Sequence, residues 1–375
     1  MFILIKNADI YAPEPLGKKD VLLSFDRIIK IDDSLTLDLS GIEVIDAKGK
    51  YLVPGFIDQH VHVTGGGGEG GLHSRTPELL LSDAIEAGVT TLVGLLGTDS
   101  ITRNVESLVA KTKALNNEGI TAYCFTSAYQ YPPITLTGSV SKDIVFISEV
   151  IGCKLAYSDH RGSHPTREEL IWLVSEVRRA GLVSGKPGLL HIHIGPAPEG
   201  VLPIMDIVKS TDIPIKHFRP THMSRHPKQA AEFTRMGGYA DFTSGKNLPA
   251  MFVEVMKESD EKLLTISSDS NGSLPVWDEK QENIIGMGVG KMTSLYNAVR
   301  EMIVNHNVPI ERALTFITSN VAKALELFPR KGSLSPSSDA DLVLLDADLN
   351  IDTVIAKGKI MMRDKKIIVK GMFES

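Results

Sequence analysis

A chain of 375 residues is too long for one small compact domain and suits an α/β barrel with an accessory part. Its formal charge of −6, its pI near 6.0 and its lack of basic clusters interleaved with aromatics exclude an electrostatic footprint for nucleic acid and favour small-molecule work. Two cysteines, Cys124 and Cys153, exclude a disulfide framework and fit a reducing compartment.

The chain opens with an apolar run, Met1 to Ile5, that stops at Lys6, shorter than a signal-peptide core. No apolar segment reaches membrane length, so a soluble, cytoplasmic protein without membrane or nucleic-acid partners is expected. Residues 1 to 53 read as short strands, Phe2 to Ile5, Asp20 to Ser24, Arg27 to Ile31 and Ile42 to Asp46, punctuated by Pro13, Pro15, Gly17 and Gly41. The far end has the same character, in Asp341 to Leu345, Val354 to Ile360 and Lys366 to Val369. Neither piece can hold a core by itself, so both termini, 1–53 and 330–375, are expected to form one small β domain, a β-sandwich.

Between those ends, over residues 54–329, short apolar strands alternate with amphipathic stretches, which is the pattern of βα units and a parallel sheet. The first strand runs through Pro54 to His62, and the next are Thr90 to Leu96, Thr121 to Thr126 and Ile151 to Tyr157. Gly188 to Ile194, Lys216 to Thr221, Tyr239 to Thr243 and Leu263 to Ser268 complete a set of eight, the number for a (β/α)8 TIM barrel. Arg167 to Arg179 shows the helical spacing expected of the intervening segments.

Barrel chemistry sits at the C-terminal ends of strands, and unusual residues collect there. His60 and His62 alternate on one strand, so they share a face and suit a single metal ion. Lys154 lies within the fourth strand, His193 ends the fifth, His222 follows the sixth and Asp269 the eighth. His191 shares a face with His193 and competes with it; the residue nearer the strand end is the preferred ligand. A buried lysine has no lone pair to offer as an ammonium, but its carbamate with carbon dioxide is an anion with two oxygens. After the first strand comes Gly65-Gly66-Gly67-Gly68-Glu69-Gly70-Gly71, a loop that must bend sharply or approach something closely. It lacks the Lys-Ser/Thr ending of a phosphate loop, which leaves Glu69 as its notable group.

Together with Ser158-Asp159-His160-Arg161, Pro220-Thr221-His222 and Ser267-Ser268-Asp269 followed by Asn271-Gly272-Ser273, these motifs resemble the isoaspartyl (β-aspartyl) dipeptidases of the amidohydrolase superfamily along the whole chain. The resemblance implies a metallopeptidase with two zinc ions per subunit. His60, His62 and Asp269 would hold one, His193 and His222 the other, and carboxylated Lys154 would bridge them. It also implies Asp269 as proton acceptor and donor, and Tyr129, with Tyr131 as competitor, as hydrogen-bond donor to the oxyanion. An isoaspartyl dipeptide carries one free ammonium and two carboxylates. Glu69, with Gly67 and Thr98 beside it, would take the ammonium, and Arg161 and Arg225, helped by Ser273, the carboxylates. Cys153, next to Lys154, should point to the opposite face and simply pack there. Family members are homo-oligomers, and the same is expected here. The rival readings are a cyclic-amide hydrolase, hydantoinase or dihydroorotase, with the same metal ligands, and a barrel scaffold without catalysis.

Overall fold

The computed structural model describes residues 2–37, 40–280 and 283–374. Met1, Asp38, Leu39 and Ser375 of the expected β unit, and Gln281 and Glu282 of the expected barrel stretch, lie outside the described residues.

Eight strands follow one another as βα units. They are β1 (Phe56–Val61), β2 (Val89–Gly94), β3 (Thr121–Thr126), β4 (Val150–Tyr157), β5 (Leu189–Ile194), β6 (Phe218–Thr221), β7 (Ala240–Thr243) and β8 (Leu264–Ser267). Strands β1 to β6 form one parallel sheet and β7 pairs with β8, which is the TIM-barrel arrangement. At the β8–β1 seam the Asp269 amide donates to the His60 carbonyl (3.1 Å) and the His62 amide to the Ser270 carbonyl (2.9 Å). Between β6 and β7 the Thr221 hydroxyl reaches Asp241 Oδ2 (2.7 Å).

The outer helices form for local reasons. In Arg167–Ser184, Thr166 and Glu169 make a reciprocal capping box, and Gly185 ends the helix in the left-handed region at φ 67°. Its apolar stripe, Leu170, Leu173, Val174 and Val177, packs into the barrel core. Cys153 lies in that same core, fully buried, while its neighbour Lys154 faces the barrel interior near Tyr129. Gly152 lets β4 and β5 approach, because a Cβ there would sit 2.0 Å from the Leu189 carbonyl oxygen.

The two ends of the chain meet in one nine-stranded mixed sheet. Its bridge is Tyr51–Pro54, parallel to Phe2–Tyr11 on one side and antiparallel to Leu342–Leu345 on the other. One residue later, Gly55 passes the chain straight into β1. An apolar cluster under this sheet draws Ile3, Ile5, Ile10, Val21 and Leu23 from the first part and Leu342, Leu344 and Ile355 from the last. The expected single strand Val354 to Ile360 is instead two, Ile351–Ala356 and Lys359–Arg363. Lys357 and Gly358 turn the chain at φ 48° and 71°, and a Cβ on Gly358 would collide with the Phe25 carbonyl oxygen. No described helix is long and apolar enough to cross a membrane.

Candidate active site

Many of the polar residues singled out in the sequence line one cavity of about 290 Å3 at the C-terminal mouth of the barrel, walled by His62, Glu69, Thr98, Tyr129, Arg161, His193, Arg225, Asp269 and Ser273 among others; His60, Lys154 and His222 are buried and are not among its lining residues. The chain reaches this mouth under local strain. Ser127, Ser158, His222 and Asp269, just past β3, β4, β6 and β8, all have φ between 55° and 68°, a region that non-glycine residues rarely adopt. Such outliers collect at functional sites.

Donor atoms of His60, His222 and Asp269 lie within 4.8 Å of one another. Asp269 Oδ1 is 3.3 Å from His60 Nε2 and 3.1 Å from His62 Nε2. Burial pushes the His60 imidazole down to about 3 and holds His193 and His222 well below their usual range, so these rings are neutral and their lone pairs available. Burial opposes ionisation of Asp269, but the adjoining imidazoles outweigh it and keep the carboxyl well below the usual range. Electron-rich nitrogens facing a carboxylate in a buried site are the donor set of a divalent metal, and the residues fit one.

The other ring nitrogens are engaged in ways that fix which face each ring presents. His60 Nδ1 lies 2.9 Å from His191 Nε2, His222 Nδ1 is 2.5 Å from Thr243 Oγ1, and His193 Nε2 is 2.9 Å from Asp159 Oδ2. His193 thereby turns Nδ1 to the Tyr129 hydroxyl, 2.7 Å away. His191, the competitor of His193, is thus a partner of His60, stacked on Phe125 with ring centroids 4.7 Å apart. His62 packs against glycines, since a Cβ on Gly97 or Gly272 would come within 2.8–2.9 Å of its ring carbons.

Lys154 is fully buried, and its Nζ has no hydrogen-bond partner among the described residues. Burial lowers its pKa from 10.5 to about 7, so a neutral amine is readily formed. Its Nζ sits 5.7 Å from the centre of the Tyr129 ring. Tyr129 lines the cavity; Tyr131 is not among the residues lining it.

Glu69 stands inside the cavity with its side chain 5% exposed. It accepts from Thr98 Oγ1 (3.0 Å) and Ser273 Oγ (2.9 Å), and Arg161 Nη1 is 3.4 Å away. Ser273, expected beside the arginines, lines the same cavity and here donates to Glu69. Gly65, Gly67 and Gly68 all have positive φ, and a Cβ on Gly67 would lie 2.3 Å from the Ser74 carbonyl oxygen, so the loop needs glycine to place Glu69. Arg225 donates to the Ile194 carbonyl (2.5 Å).

Sequence reasoning missed a buried carboxylate network below this layer. Asp241 accepts from Gln59 Nε2 (2.7 Å), Thr265 Oγ1 (2.8 Å), Thr221 Oγ1 (2.7 Å) and Ser267 Oγ (2.6 Å), so it ties β7 to β1, β6 and β8. Asp58 accepts from the amides of His60 and Ser268, and burial raises its pKa to about 7. A carboxylate amid an apolar strand was the available signal in both cases.

Two family models, both described as amidohydrolase family, match residues 43–93 and 240–361. The crystal structure of a β-aspartyl dipeptidase from Fervidobacterium islandicum AW-1 in complex with β-Asp-Leu is 41% identical, covers 98% of each chain and superposes with a TM-score of 0.93. A dihydroorotase of Staphylococcus epidermidis is 38% identical over 103 residues, which span 28% of this chain and only 24% of that relative. An L-hydantoinase of Paenarthrobacter aurescens is 20% identical over 93% of this chain and 86% of its own length.

Proposed function

Because this chain belongs to the β-aspartyl dipeptidases of the amidohydrolase superfamily, we propose that it hydrolyses the isopeptide bond of β-aspartyl dipeptides with the help of two zinc ions. The observation that carries this reading is the buried Glu69 carboxylate, braced by Thr98 and Ser273 in a cavity that also presents Arg161 and Arg225. Apart from Asp269, placed with the metal ligands, and Asp159, bonded to Arg161 and His193, the lining offers one carboxylate and two guanidiniums, which match a substrate with one ammonium and two carboxylates. A cyclic amide such as a hydantoin offers no separate ammonium for Glu69.

In this reading His60, His62 and Asp269 would hold one ion and His193 and His222 the other, and Lys154, carboxylated, would supply a ligand anion shared between them. When bound, the ions supply a water acidic enough to attack near neutral pH and polarise the scissile carbonyl. Glu69 binds the α-ammonium next to Thr98 and the Gly67 backbone, while Arg161 and Arg225 orient the two carboxylates. Tyr129, whose phenol is pushed up by burial, stays protonated and donates a hydrogen bond to the developing oxyanion. Asp269, held as an anion, accepts the proton of the attacking water and delivers it to the leaving amine as the C–N bond breaks. Aspartate and the second amino acid result.

The reading extends to the assembly. Residues 1–53 and 330–375 make a small β-sandwich in which their single nine-stranded sheet folds over the shared apolar cluster, 54–329 make the catalytic barrel, and the subunits form a homo-oligomer. Two free, buried cysteines fit work in a reducing cytoplasm.

Glu69→Gln tests the central assignment. Losing a charged partner of the ammonium should lower kcat/KM for β-Asp-Leu about 10–100-fold, chiefly through KM, with zinc content unchanged. Kinetics within twofold of the parent protein would remove Glu69 from the substrate site.

A further inference from the structure

Resting on the dipeptidase reading, we propose that Asp159 is a positioning residue that couples the His193 metal site to the Arg161 substrate clamp. Asp159 follows β4 at Ser158, whose backbone is left-handed at φ 56° and whose hydroxyl donates to the Gly200 carbonyl (2.9 Å). Gly195 closes over this turn, because a Cβ there would lie 2.5 Å from the Asp159 Cα. The carboxylate is thereby fixed from both sides, with its side chain wholly buried.

Each Asp159 oxygen has two donors. Oδ1 accepts from the Arg161 backbone amide (2.8 Å) and from Arg161 Nε (2.9 Å). Oδ2 accepts from Arg161 Nη2 (2.9 Å) and from His193 Nε2 (2.9 Å). The guanidinium is thus held by a two-point fork, which leaves Nη1 directed into the cavity, 3.4 Å from Glu69.

The Asp159 oxygen 2.9 Å from His193 Nε2 is a partner for a ring proton on that nitrogen, so that Nδ1, which faces the Tyr129 hydroxyl, is the nitrogen that would turn to a metal. The same Oδ2 fixes the orientation of Arg161. One carboxylate oxygen therefore serves two purposes, and anything that draws Arg161 toward a substrate carboxylate alters what remains for His193. Metal affinity at His193 and substrate affinity at Arg161 are linked through Asp159, and thermodynamic linkage makes that influence mutual.

The test compares the zinc-loaded parent protein with Asp159→Asn in three measurements: kcat and KM on β-Asp-Leu, zinc retained per chain across a chelator series, and the thermal unfolding midpoint. The expected result is a KM raised at least about tenfold. One of the two zinc ions should be lost at about 10–100-fold lower chelator concentration, with the other ion and the midpoint close to the parent. Asp159→Glu keeps the charge of the buried pair, and smaller shifts in the same two quantities are expected; it carries the test should the asparagine variant fail to fold. Parent-like KM and zinc retention overturn the proposal. A change in only one of the two overturns the coupling, and loss of both ions with a collapsed midpoint reduces Asp159 to a structural residue. Failure of the parent protein to cleave β-Asp-Leu would instead count against the dipeptidase reading, and the zinc series would still report on His193.

Discussion

Lys154→Ala is expected to lower kcat/KM for β-Asp-Leu by at least about 10³-fold, with part of the loss restored by a small carboxylic acid added to the assay. The ammonium form of Lys154 is disfavoured because its nitrogen is fully buried and without a hydrogen-bond partner among the described residues. As a neutral amine the nitrogen can attack carbon dioxide, forming an N–C bond and releasing a proton, and the product is an anion with two oxygens. Alanine removes that anion and leaves room that a formate or acetate ion can enter. Steady-state kinetics with and without the added acid, alongside zinc analysis, make the comparison. Undiminished activity in the variant would show that the bridging assignment is wrong.

Asp269→Asn is the second large effect, a fall in kcat of about 10²–10⁴-fold with a much smaller change in KM. The residue is fixed through its backbone: the Asp269 amide donates to the His60 carbonyl, the Asp269 carbonyl accepts from the Gly272 amide, and with φ at 55° the carboxylate faces His60 and His62. Asparagine keeps that shape and one oxygen ligand but has no carboxylate to accept and return a proton. A variant that keeps kcat within tenfold of the parent would move the proton acceptor elsewhere, with zinc content measured on the same samples to separate lost chemistry from lost metal.

The barrel was legible because each strand is a short apolar run bounded by turns, and the eight expected windows each contain most of an observed strand. The sixth was read two residues too early, since Ile215–His217 forms a 3-10 turn before β6 begins at Phe218. Apolar alternation cannot show where a strand reverses, so Val354 to Ile360 read as one strand although Lys357 and Gly358 fold it back. The hairpin of Ser273–Trp277 with Ile284–Val289 escaped notice altogether. Its glycines, Gly286 and Gly288, face Val276 and Leu274 across the ladder, and such a ribbon carries little of the usual strand signal.

Within the site, residues with distinctive chemistry at strand ends were visible one by one. Their partners were not. That His191 faces His60, or that Asp241 gathers hydroxyls from β6 and β8, depends on register between strands far apart in sequence, which no local pattern encodes. Ser273 illustrates the same limit. Its place in the loop after Asp269 was evident, but whether its hydroxyl turns to an arginine or to Glu69 is decided by how the glycine loop folds back across the mouth.

The most direct test of the account is to give the zinc-loaded protein β-Asp-Leu, hydantoin and dihydroorotate side by side and to follow the release of leucine and the opening of each ring. The account predicts release of leucine and aspartate with kcat/KM at least about 10³-fold above either cyclic amide, because only the dipeptide pairs with Glu69 and both arginines. Ring opening without hydrolysis of the dipeptide would contradict it.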